Sequence, residues 1–123
     1  MGYSIEIDKD KNLLSITYDE TSTFQDRVMV LDEVISYLKN NPTTNIFIDA
    51  SLAKNCLSAD EQLELGRLLG QSRKYFSRNR TAVLNQNALH PLVMGEAYVK
   101  GHIHLVEFKK KSEALQWLSR KIK

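Results

Sequence analysis

A mixed α/β fold, a mostly parallel β-sheet flanked by helices in the order ββαβαβαβα, follows from three features of the chain. Near the start, apolar residues alternate with period two across a polar turn, as in a half-buried hairpin. Farther on, short and nearly continuous apolar runs around Phe47, Val83 and Val106 read as strands covered by neighbours. Between them apolar residues recur at helical spacing, so each later strand is reached by a crossover helix and lies parallel to the last.

Each element has its own justification. Ser4 to Asp8 places Ile5 and Ile7 on one face, and Leu14, Ile16 and Tyr18 repeat that period after Lys9-Asp10-Lys11-Asn12. Phe24, Val28, Leu31, Ile35 and Leu38 then mark a helix, opened by the capping box Ser22-Thr23-Phe24-Gln25 and closed by Asn40-Asn41-Pro42. Ile46 to Ala50 is apolar until Asp49 and belongs in the sheet centre. A second helix starts at Ser58, with Glu61 completing a capping box and Leu65, Leu68, Leu69, Ser72 and Phe76 forming its buried stripe. Thr81-Ala82-Val83-Leu84 is the next strand, and Pro91 suits the first turn of a third helix that ends before Gly101. His102 to Phe108 is the last strand, and Ser112 caps a final helix whose Leu115, Leu118 and Ile122 share a face.

Composition narrows the function classes. A chain of 123 residues, 42% apolar and 26% charged, matches a single domain spanning 1–123, with no repeat, linker or low-complexity segment. Its 17 basic and 15 acidic side chains leave a net charge of only +2, so no nucleic acid partner is expected. Cys56 is the single cysteine, and no charged-then-apolar leader precedes the first strand, which points to a reducing, cytoplasmic setting. No apolar run approaches the about 20 residues that cross a bilayer, so a soluble protein without a transmembrane segment is expected.

The best-placed polar residues lie where Asn45-Ile46-Phe47-Ile48-Asp49-Ala50-Ser51 runs toward Ser58-Ala59-Asp60-Glu61. In open α/β sheets, ligands and partners gather at the carboxyl ends of strands beside helix N-termini. Asp49 and Ser51 are therefore candidate binding residues, although a carboxylate at a strand end also serves by accepting bonds from loop amides. Cys56 sits just before a helix start, a position that lowers a thiol pKa, or it is a small apolar filler. Asp49 has no paired base and Cys56 no evident histidine, so the chain is read as non-enzymatic.

Other candidates lie elsewhere. His102 and His104 point to one face of a strand, but His90 comes from a separate loop, so no third ligand is identified and neither metal nor cofactor is assigned. Arg73, Lys74, Arg78 and Arg80 complement the carboxyl end of the second helix, and Lys109-Lys110-Lys111 with Arg120, Lys121 and Lys123 form a solvated basic face. Leu89 to Tyr98 is apolar and adaptable. Met94 and Tyr98 are candidate contacts to a small apolar ligand, in a cavity that Val93, Met94 and Phe76 would line.

The strand order, the Phe47-Ile48-Asp49 strand and the ending Val106-Glu107-Phe108-Lys109-Lys110-Lys111-Ser112-Glu113-Ala114-Leu115-Gln116-Trp117-Leu118 resemble the SpoIIAA-like branch of STAS proteins, short single-domain bacterial proteins also described as STAS/SEC14-like. The resemblance implies a regulatory module that contacts other proteins, as anti-sigma-factor antagonists do, or alternatively a SEC14-like carrier of a small apolar or lipid ligand. It places a phosphoacceptor at Ser58, while Leu57 and Asp60 depart from the family's Asp-Ser-x-Gly setting. An ordinary helix cap is the other reading of Ser58. Monomer and homodimer both stay open.

Overall fold

The computed structural model describes residues 2–53, 57–84 and 104–120. A five-stranded sheet organises them, in the spatial order β1 (Tyr3–Asp8), β2 (Leu13–Tyr18), β3 (Asn45–Asp49), β4 (Thr81–Leu84) and β5 (Leu105–Phe108). β1 and β2 are antiparallel. The remaining neighbours are parallel, so the mixed α/β class expected from the sequence is the one adopted, with β3 at the centre. The hairpin turns at Asn12, whose φ of 53° is in the left-handed region that Asn tolerates. Asn12 also anchors the turn to the chain beside β3, its Nδ2 donating to the Thr43 carbonyl at 2.9 Å and its carbonyl accepting from the Asn45 N–H at 3.0 Å.

Successive side chains on a strand point to opposite faces, and the two faces of this sheet are built differently. On one, Leu14, Ile16 and Tyr18 of β2 and Ile46 of β3 pack with Val30, Val34 and Leu38 of helix α1 (Phe24–Leu38) and with Phe76. On the other, Phe47, Ala82 and Leu84 meet Ala114 and Leu118 of helix α3 (Lys111–Ser119). Asn45 and Arg80 hold α3 down from its carboxyl end. Asn45 Nδ2 donates to the Leu118 carbonyl at 3.0 Å, and the Arg80 guanidinium donates to the carbonyls of Trp117 and Arg120 at 2.8 and 2.9 Å.

Several element details differ from the sequence expectation. Thr23, not Ser22, caps α1: its hydroxyl accepts from the Asp26 N–H, and the Asp26 carboxylate accepts from the Thr23 N–H. Ser22 is 1% exposed, with its backbone against Gly2, so its place in the packing selects the next residue as the cap. The deepest α1 positions are Val30, Val34 and Leu38, a stripe rotated slightly from the expected one. Helix α2 (Ala59–Gln71) has no fully buried residue. Phe76, assigned to its stripe, lies beyond it after a 3-10 turn at Arg73–Tyr75 and is 3% exposed in the core. Lys110 rather than Ser112 is at the cap position of α3 and makes no side-chain cap bond. β5 is described from Leu105, and the expected helix from Pro91 and Ile122 of the last helix lie outside the described residues.

Candidate functional site

The central strand delivers Asp49 to the carboxyl edge of the sheet, in register with Thr17 of β2 and Leu84 of β4. The next backbone N–H, of Ala50, donates to the Leu84 carbonyl at 2.9 Å and fixes the exit direction. Asp49 Oδ1 then accepts from the Ser51 N–H at 3.0 Å and the Ser51 hydroxyl at 2.6 Å. This is an Asx turn, in which a carboxylate replaces a backbone acceptor so that the strand can bend. Asp49 and Ser51 are thus brought together, as a turn-forming pair. Leu52 follows immediately and is 60% exposed.

The chain is described again from Leu57. Ser58 is exposed and caps α2 as expected, its hydroxyl accepting from the Glu61 N–H at 3.1 Å and its N–H donating to Glu61 Oε1 at 2.9 Å. Asp60 and Glu61 add negative charge in the first turn, where free N–H groups stabilise it. Gln62 Nε2 donates to the Leu57 carbonyl at 2.9 Å and tightens the entry to the helix. One turn on, Leu63 is 56% exposed. On the same helix the Glu64 carboxylate is hydrogen-bonded to the Arg67 guanidinium, which holds its pKa below the ordinary value and raises that of Arg67.

The other candidates are distributed differently. Cys56, Met94 and Tyr98 lie outside the described residues, as do His90 and His102, while His104 is exposed ahead of β5. Among the described residues no cluster of His, Cys, Asp and Glu could hold a metal ion, and no helix is long and apolar enough to cross a membrane. The basic group assigned to the carboxyl end of α2 is not in its last turn. α2 ends at Gln71, Arg73 and Lys74 occupy the following 3-10 turn, and Arg80 is bonded to the end of α3. Lys74 instead sits over the Tyr75 ring, 5.0 Å from its centroid.

One feature was missed in the sequence. On the face that carries α3, an open groove of about 1520 Å³ runs between the hairpin and that helix, with Ser15, Thr17 and Asp49 among its lining residues. Lys111 on α3 lines it too and lies 5.9 Å from the centroid of the Phe47 ring. The signal was the alternation of β2 itself: Ser15 and Thr17 stand between Leu14, Ile16 and Tyr18, so a polar face had to be presented somewhere. No family model matches this chain, and neither does any curated protein or solved structure.

Proposed function

We propose that this protein is a non-enzymatic, STAS-like regulatory or binding module that acts through protein–protein contacts at the junction of β3 and α2, in the manner of an anti-sigma-factor antagonist. The observation that carries the reading is the pair of exposed leucines, Leu52 and Leu63, on either side in sequence of the exposed Ser58 cap. In a protein contact such side chains form the apolar centre, with polar groups such as the Ser58 cap at the rim.

Support for the STAS-like affiliation is the mixed sheet led by a hairpin, with a serine capping the helix after the central strand. Phosphorylation of Ser58 is the regulatory form of this proposal. A phosphate would find free N–H groups at the helix start, but also the carboxylates of Asp60 and Glu61. The alternative of a small apolar or lipid ligand under the third helix draws less support. Phe76 is already packed in the core, and Val93 and Met94 lie outside the described residues.

The test is a quantitative capture from host extract with the tagged chain, a Leu52→Lys/Leu63→Lys variant and a Val106→Lys control, Val106 being 36% exposed on a different element. A partner retained by the wild type and the control, and reduced at least about tenfold by the double variant, is the expected result. Equal retention by all three overturns the proposal. Intact-mass measurement of protein purified from the same host, followed by fragmentation of the peptide that carries Ser58, reads whether that residue carries a phosphate.

A further inference from the structure

The outer edge of β1 combines three properties rarely left together. β1 is the first strand in the sheet order, so no described strand lies on its far side. In an antiparallel ladder, hydrogen-bonded and non-bonded pairs alternate. The Asp19 N–H donates to the Gly2 carbonyl at 2.9 Å, one place before the Tyr3↔Tyr18 pair, so the bonded pairs that follow are Ser4 with Thr17, Glu6 with Ser15 and Asp8 with Leu13. The backbone N–H and C=O groups of Tyr3, Ile5 and Ile7 therefore point away from β2, toward the open edge.

The side chains of the same three residues share the face that α1 covers, since Ile5 and Ile7 stand opposite Ile16 and Leu14. There a hollow of about 580 Å³ is lined by Ile5, Ile7, Leu14 and Tyr37, with Asp32 and Glu33 of α1 also lining it. Ile7 is 46% exposed. On the opposite face of β1, Ser4, Glu6 and Asp8 are all exposed.

We infer that the β1 edge binds an extended segment of a partner protein in which apolar and basic residues alternate. An added strand continues the pleat, so its apolar side chains extend the Ile5–Ile7 strip beside the hollow and its basic ones fall next to Glu6 and Asp8. Opposite charges on neighbouring strands attract and like charges repel. A second copy pairing antiparallel with Ile5 against Ile5 sets Glu6 opposite Ser4, with the two Glu6 carboxylates on the diagonal, whereas a basic segment puts a cation beside Glu6, so charge favours the basic segment over a second copy. This surface is separate from the β3–α2 junction, and the two proposals fail independently.

The experiment titrates the full isotope-labelled chain with the peptide acetyl-Lys-Val-Lys-Val-Lys-Val-Lys-amide and with its Glu-Val counterpart, and reads amide hydrogen exchange residue by residue. The expected result is an alternating pattern: the basic peptide slows exchange at Tyr3, Ile5 and Ile7 by about tenfold or more, while Ser4 and Glu6, already bonded to β2, change little. A Glu6→Lys variant, which keeps the turn bond from the Lys11 N–H to Asp8 Oδ1, should weaken the basic peptide about tenfold and gain binding of the acidic one. Several results overturn the inference: binding of neither peptide, binding without the alternating protection, or equal binding of both. So does protection of the same three amides in the free chain accompanied by dimerisation, which would make a second copy the occupant.

Discussion

Helices α1 and α2 begin with the same chemistry and then part company. Each opens on a hydroxyl residue, Thr23 or Ser58, in a reciprocal bond with an acidic residue three positions on. Yet α1 sinks Val30, Val34 and Leu38 into the core, whereas α2 buries no residue fully and leaves Leu63 56% exposed. A cap fixes where a helix starts. An apolar stripe decides whether it belongs to the scaffold, because most helical stability in proteins comes from packing of that stripe. α1 is thus part of the frame, while α2 leans on it through half-buried side chains such as Leu69 and keeps Leu63 in water, which supports the proposed contact site.

The strongest way to break this contrast is to cut equal volume from both helices. Leu38→Ala removes a side chain 1% exposed in the main core and should cost about 3–4 kcal/mol. Leu68→Ala on α2, at a half-buried position, should cost about 1 kcal/mol, because the site can collapse or fill with water. Urea denaturation of the two variants measures both. Equal losses would make α2 a scaffold helix and remove the argument for its role as a contact surface.

A second test sharpens the α1 side through pH. Tyr18 faces α1 at 5% exposure, and burial pushes its phenol up to about 12, against the opposing effect of Arg27, whose guanidinium lies 4.8 Å from the ring centroid. The folded protein therefore holds this proton more tightly than the unfolded chain, where tyrosine titrates near 10.0. The stabilisation is complete below about pH 10 and is lost as pH rises toward about 12, an effect of about 2–3 kcal/mol. Tyr18→Phe keeps the ring and removes the titration. Between pH 9 and pH 11 the unfolding free energy should fall more steeply for the wild type than for the variant; equal slopes would sink the assignment.

The sequence carried the sheet well and the site unevenly, for identifiable reasons. The hairpin and β3 were legible because Ile5, Ile7, Leu14, Ile16 and Phe47 obey simple periods. The α1 cap was displaced by one residue because Ser22-x-x-Gln25 and Thr23-x-x-Asp26 are equally good local boxes. Tertiary packing tells them apart: Ser22 is 1% exposed against Gly2, where an added Cβ would lie 2.5 Å from the Ser22 Cα, and its N–H donates to the Asp19 carbonyl at 3.2 Å. The Asp49–Ser51 turn and the Ser58 cap are local and were readable. The groove and the open β1 edge were not, because they depend on which sheet face each helix takes and which strand ends outermost.

The smallest expected effect isolates what the two helices share. Thr23→Ala and Ser58→Ala each delete one hydroxyl acceptor from a helix start, and each should cost about 1 kcal/mol of local helix stability. Their global consequences differ. α1 is tied to the core through Val30, Val34 and Leu38, so its first turn cannot open far without exposing them, and the Thr23 loss should appear in the whole unfolding transition. α2 touches that core through the half-buried Leu69 near its far end, so the Ser58 loss should surface as faster amide exchange over Ala59–Gln62 with the global transition almost unmoved. Site-resolved exchange read beside a urea melt distinguishes the two. If Ser58→Ala shifts the melt as far as Thr23→Ala does, α2 unfolds together with the frame. Leu63 would then sit on a rigid helix, and a partner would bind it without having to order the helix start.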